Sequence, residues 1–386
     1  MMCNMIDMPH AKTEPNWLPL HQRHLLYTLA HADAIAAQLH EVLYGYIKAG
    51  PFRLENNIAD GREYVVLRGI APLPEAVPRL AADAVNQLRS AIEHALYAEV
   101  EHLTGRSLDE RESQAIEMPI KTDAAGLKDW FQHRRRRSLP VLHSDGSLGQ
   151  RIEALQPYHQ APDHQVHPLK LLAEYSNLSK HRTPAVAAVR LGAIIPDIYV
   201  PGLRVREQDG RNQLLEVDDV LVSVPEGNVV PIDIWPMIGI RRPHTGEWIV
   251  LPTELKELEL WVRTVALPTI IAGGVNCEQL PPYLDISLGY QVFEDALSNA
   301  RNLPAADRYA KRIVGEGLRS DFPRMFGESL PSVSPDVIKS FVSVLSDDKA
   351  IEIMERYARV AEHRGGESAS NYLGRLVSES TGNEAV

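Results

Sequence analysis

The sequence predicts an α+β fold: an N-terminal helical bundle carrying a hairpin, a central antiparallel sheet and a C-terminal helical unit. Three observations lead there. Apolar residues recur at helical spacing over two long early segments, short β-branched runs separated by turn formers fill the middle, and a helix-patterned, charged tail follows. With 386 residues, the chain is long enough for several packed units. The pattern changes place them at 1–183, 184–290 and 291–386.

The first helix is read from Leu25, Leu26, Leu29, Ala32, Ile35, Ala36, Leu39, Val42 and Leu43, with Gly50-Pro51 as its stop. Residues 52–70 then read as a hairpin, because Tyr64-Val65-Val66-Leu67 follows the turn formers Asp60-Gly61. A second long helix spans about 74–104, an irregular stretch 105–166, and a shorter helix 168–181. Strands are expected at 187–195, 214–224, 229–234 and 248–251, separated by turns at Asp209-Gly210, Glu226-Gly227 and Thr245-Gly246. Such close spacing favours one antiparallel sheet. The stripe Leu255, Leu258, Val262 and Val265 predicts a helix ending at Pro268, and residues 283–290 a last strand. The helical tail, 307–380, is expected to break at Pro323, Pro331 and Pro335.

A net charge of -11 argues against a broadly basic coat for duplex DNA, which needs many Lys and Arg contacts to phosphate, and leaves room for a local nucleic-acid site. Only Cys3 and Cys277 are present, too few for a disulfide framework or a thiolate zinc site, so a reducing cytoplasm fits. Residues 1–20 lack the basic end and apolar run of a secretory signal and read as a loose arm. No apolar run is long enough to span a bilayer. No cofactor or metal is indicated.

Chemistry concentrates in three segments. In Leu88-Arg89-Ser90-Ala91-Ile92-Glu93-His94, the stripe Leu80, Ala84, Leu88, Ile92, Ala95 faces inward, and Arg89 and His94 fall about 140° apart on its two flanks. Arg89 and Glu93 also stand at the i, i+4 spacing of a surface ion pair. The second segment, Tyr175-Ser176-Asn177-Leu178-Ser179-Lys180-His181-Arg182, sets three cationic groups at the negative end of a helix. There they serve either as caps or as a phosphate or carboxylate site with Asn177. The third is Arg134-Arg135-Arg136-Arg137. It is either a solvated loop or a contact for a phosphate backbone, with Trp130, Phe131 and His133 free to stack on bases.

The Arg-x4-His helix resembles the HEPN nucleotide-binding and ribonuclease superfamily, whose helical bundles dimerise to bring such pairs together. The resemblance implies a homodimer and a metal-independent ribonuclease or nucleotide-binding protein acting in toxin or phage-defence biology. It casts His94 as general acid or base, Arg89 as stabiliser of phosphate charge and Ser90 as a neighbouring polar contact. The same helix, Gln156-Pro157-Tyr158 and the Lys180-His181-Arg182 helix end together resemble an uncharacterised bacterial family over 85–182, and more loosely to Val265. Glu93 and Ser179 stand where that family more often has Asp.

The candidate site is therefore Arg89, His94 and His181 for catalysis, with Ser90, Asn177, Lys180, Arg182 and Arg134 to Arg137 contacting RNA or a nucleotide. Two other readings stay open: a non-catalytic binding or assembly module, and a metal-dependent hydrolase on bundle residues such as His24, His31, Glu41 and Glu101. His102 reads as a core histidine, and Asp163, His164 and His167 as loop residues. Ile271-Ala272-Gly273-Gly274 and Gly315-Glu316-Gly317 read as turns, since neither follows a strand and opens a helix as a phosphate loop must.

Overall fold

The computed structural model describes residues 17–381, apart from 161–163, 183–184, 186, 207–214, 229 and 275–276. The Asp209-Gly210 turn, Asp163 and most of the N-terminal arm therefore lie outside the described residues. The chain forms two compact units, Met1–Ala306 and Asp307–Val386.

In the first unit, α1 (His24–Lys48) and α2 (Ala76–Thr104) run antiparallel and bury long apolar stripes against each other. Between them stands the hairpin β1 (Phe52–Ala59) and β2 (Arg62–Ile70). Its two-residue turn needs positive φ twice, which Asp60 (51°) and Gly61 (70°) supply. The stretch expected to be irregular holds α3 (Glu110–Ser113), α4 (Ala124–Phe131) and α5 (Ser147–Ala154), linked by single 3-10 turns, before α6 (Pro168–His181).

The central strands form two antiparallel sheets where one was expected. The hairpin belongs to the first, in the order β1-β2-β5-β4, with β4 at Arg204–Val205 and β5 at Val220–Pro225. The second has the order β3-β6-β7, with β3 at Ala187–Pro196, β6 at Ile232–Arg241 and β7 at Trp248–Val250. Leu67, Leu221, Val222 and Val224 from one sheet share a core with Ile194, Ile232 and Ile234 from the other. An alternating hairpin next to a helix looks local in the sequence, yet its apolar face is buried by strands about 150 residues away.

The helix expected to end at Pro268 continues past it. After α7 (Leu251–Trp261) the turn widens over Val262–Ala266, and the Leu267 N–H reaches back five residues to the Val262 carbonyl. The wider turn makes room for a proline that cannot donate, and α8 (Leu267–Ala272) follows. Gly273 and Gly274 then close α8 by donating to the Thr269 and Pro268 carbonyls, so this pair ends a helix instead of opening one. The strand expected at 283–290 is absent. Only a bridge between Tyr283 and Arg301 forms, near the short α9 (Phe293–Ser298).

The second unit comprises most of α10 (Ala305–Ser329), with α11 (Pro335–Ser343), α12 (Asp347–Arg364) and α13 (Gly366–Thr381), around Phe322, Phe326, Phe341, Ile353 and Leu373. Pro323 lies inside α10 and does not break it, whereas Pro335 opens α11 behind the Ser334 cap. Gly315 sits mid-helix where a Cβ would meet Asp347 at 2.6 Å, so it serves close packing. No described helix is long and apolar enough to cross a membrane.

Candidate functional site

Helix α2 organises the candidate residues because its apolar stripe is spent inside its own unit. Ala84, Leu88, Ala91, Ile92, Ala95 and Leu96 are buried against α1, α6, α7 and α8, and Leu80 only partly. That leaves Arg89 and His94 on the two flanks the helical wheel assigns them, with opposite fates.

On the first flank, Arg89 is almost wholly buried, at 13% exposure. Its guanidinium pairs with the Glu93 carboxylate one turn on and donates to the Met118 carbonyl at 3.0 Å, while the Met118 N–H donates to Glu93 at 2.8 Å. This reciprocal clamp staples the 113–118 stretch to α2. Burial pushes the Glu93 carboxyl above the usual range, with Arg89 and the Met118 N–H pulling the other way. Ser90 turns its hydroxyl back to the Asn86 carbonyl at 2.8 Å.

Helix α6 packs on this same flank. Asn86 accepts from the Ser176 hydroxyl at 2.8 Å and donates to Ser179 at 3.3 Å. One residue later the helix ends in Lys180, His181 and Arg182, all exposed, with Asn177 exposed beside them. The start of α6 is fixed by His167, whose Nδ1 accepts from the Leu169 N–H at 3.2 Å while its ring meets Trp261 edge to face. Burial lowers the His167 pKa to about 4, so it is a buried neutral cap and not the loop residue expected.

The arginine segment is a single 3-10 turn, Arg134–Arg136. Arg136 is buried, stacked 3.9 Å over the Trp130 ring, donating to the Trp130 carbonyl at 3.0 Å and lying 3.6 Å from Glu117. It holds the turn to the protein, whereas Arg134, Arg135 and Arg137 point to solvent. Trp130 and Phe131 are buried too, which removes them as stacking platforms and leaves His133 exposed. Because Glu117 precedes Met118, the turn is tied to the Arg89 flank of α2.

On the other flank, His94 is exposed and faces α1, its ring 6.2 Å from that of His24. Burial, together with nearby His94 and His21, lowers the pKa of His24. Two turns further, His21 and His102 stack at 4.0 Å, and His21 and Gln22 both bond the buried Glu99 carboxylate, at 2.8 and 2.9 Å. His102 is therefore an exposed stacked ring and not a core residue. Arg151 lies 3.9 Å from Glu99 and donates to the Ile270 and Ile271 carbonyls, joining α5 and α8 to this face.

The candidates thus divide. The arginine turn, through Arg136 and Glu117, and α6, through Asn86, are each fastened to the flank of α2 that carries Arg89, and His94 stands on the other flank among histidines. Among the described residues, no group of three or more His, Cys, Asp or Glu side chains is arranged to hold a metal ion.

Two buried networks escaped sequence reading. Glu254 accepts from Tyr175 at 3.0 Å and from both arms of Arg242 at 2.8 and 2.7 Å, tying α6 to α7 and to the β6–β7 turn. Arg263, only 1% exposed, pairs with Glu259 and donates to the Pro281 and Pro282 carbonyls. Tyr175 and Glu254 lie 79 residues apart, so no local pattern marks the first. The i, i+4 spacing of Glu259 and Arg263 is the signal that marks the second. In comparisons with known proteins, the chain matches no family profile, no curated protein and no solved structure.

Proposed function

We propose that this chain recognises phosphate in single-stranded RNA or a nucleotide and cleaves RNA without a metal, in the manner of the HEPN-like proteins it resembles. The observation that carries this reading is that two exposed cationic segments are each fastened to the Arg89 flank of α2. They are Lys180-His181-Arg182, held through Asn86, and Arg134, Arg135 and Arg137, held by Arg136 and Glu117. Guanidinium and ammonium groups on a rigid base suit phosphate oxygens.

In this reading His181 is the proton-transfer residue, because it is the exposed helical histidine among these cations. It removes the 2′-hydroxyl proton as the 2′-oxygen bonds to phosphorus and the bond to the 5′-oxygen breaks. The products are a 2′,3′-cyclic phosphate and a 5′-hydroxyl, the leaving oxygen taking its proton from water or from the imidazolium. Lys180 and Arg182 balance the charge that develops on the phosphate. Arg89 positions the flank and does not touch RNA.

The test is cleavage of mixed single-stranded RNA in EDTA. His181→Ala should lower the rate about 10²- to 10⁴-fold, the scale of a positioned acid or base, and His94→Ala should leave it nearly unchanged. Loss of activity in His94→Ala alone would return catalysis to the opposite flank. A second reading, a non-catalytic assembly module, is favoured by the Arg89–Glu93–Met118 clamp, which commits the motif arginine to structure. RNA neither bound nor cleaved by the wild type would favour it.

A further inference from the structure

We infer that β1 is a self-association strand and that two copies of this chain join through it, edge to edge, into one continuous eight-stranded sheet. The inference is independent of the RNA reading.

Strand β1 is the outer strand of its sheet and is exposed everywhere except Phe52 and Asn57, which are partly covered. The other long edge strand, β3, is buried or half-buried along its length except at Ile195 and ends in Pro196, so it offers no comparable template. Both the N–H and the carbonyl of Leu67 are bonded towards β5, to Asp219 and Asp218. Its cross-strand partner Leu54 is thus in a non-hydrogen-bonded pair, and the N–H and C=O groups of Leu54, Asn56 and Ile58 point outward from the sheet.

Those three residues also share a face with Leu67 and Val65, which belong to the core between the two sheets. The apolar face therefore runs on to the edge, where Leu54 is 38% and Ile58 64% exposed. An antiparallel copy centred on Asn56 sets Leu54 opposite the partner's Ile58, Asn56 opposite the partner's Asn56, and Ile58 opposite the partner's Leu54. On the reverse face Glu55 meets Asn57 and Arg53 meets Ala59. No like charges oppose each other, and both apolar side chains are covered. Shifting by one pair to centre on Glu55 sets two carboxylates face to face and places the inward-bonded backbone groups at the junction.

The test is the solution mass of the full chain by sedimentation or light scattering, with disulfide trapping. The wild type should have twice the 43.1 kDa chain mass. Leu54→Lys/Ile58→Lys, which sets lysine against lysine, should be monomeric and folded, with a cooperative melt that no longer depends on protein concentration, as should Asn56→Pro, which removes the central outward donor. In a Cys3→Ser/Cys277→Ser background, Asn56→Cys should form a covalent dimer on mild oxidation. That symmetric pair would stand about 5.5 Å apart at Cα, within disulfide reach. Glu55→Cys should not cross-link. A monomeric wild type up to its solubility limit, or a dimer that survives Leu54→Lys/Ile58→Lys and fails to trap at position 56, would overturn the inference.

Discussion

The two flanks of α2 are built from similar side chains and end in different states. On the Arg89 side fastened residues stand behind the exposed cations: Arg89 is held by Glu93 and Met118, Asn86 by α6, and Arg136 by Trp130. On the His94 side the imidazoles are shallow, stacked or tilted on one another, and only Glu99 and Gln22 are deeply buried. The difference shows that within one motif a residue's flank decides its role. Arginine on the crowded flank becomes a clamp, and the cations that reach solvent come from elements fastened to that flank by other residues, α6 by Asn86 and the arginine turn by Arg136.

The largest expected effect lies where the crowded side reaches furthest into the protein, at Glu254. Glu254→Ala leaves buried Arg242 with only the shallower Glu247 carboxylate, 3.2 Å away, and Tyr175 without its acceptor. It should cost about 3–5 kcal/mol in urea denaturation, the range for breaking a buried pair. A loss below about 1 kcal/mol would mean that water enters this site and that α6 is held by packing alone.

A matched pair of substitutions separates the two flanks. Arg89→Ala breaks hydrogen bonds to a charged partner and frees the 113–118 stretch, so it should destabilise the protein by about 1–3 kcal/mol. His94→Ala, on the open side, should stay within about 0.5 kcal/mol. Equal effects would erase the distinction between the flanks.

A smaller effect is expected from pH. His167 has its folded pKa lowered by burial to about 4, against about 6.5 when unfolded. The unfolded chain therefore binds the extra proton first. The contribution of neutral His167 is fully present above about pH 6.5 and is lost as the pH falls towards about 4. Stability measured between these values should fall with acid, and His167→Asn, which keeps a capping acceptor, should flatten the slope.

Local features of this architecture were legible in the sequence and distant pairings were not. Both long helices, the Asp60-Gly61 hairpin and the Arg89 and His94 flanks follow from periodicity and turn chemistry within a few residues. The joining of β2 to β5, and so the split into two sheets, depends on partners far along the chain. Pro268 and Pro323 mark helix breaks by a sound local rule, but a widened turn accommodates the first and neighbouring packing tolerates the second. At the site, the four-arginine run showed its charge and concealed that Arg136 is a buried anchor. Trp130, which the sequence offered as a stacking surface for bases, is the side chain that anchors it.

A phosphate-binding surface on the Arg89 flank would show itself in the salt dependence of single-stranded RNA binding. Wild type and Arg134→Ala/Arg135→Ala/Arg137→Ala are compared by anisotropy across a salt series. Each lost phosphate contact should lower the log–log slope by about 0.7, so the triple variant should bind more weakly with a slope smaller by about 2. Its melting temperature should be unchanged, since Arg136 keeps the turn in place. Equal affinity and equal slope in the two proteins would mean that these arginines do not contact phosphate.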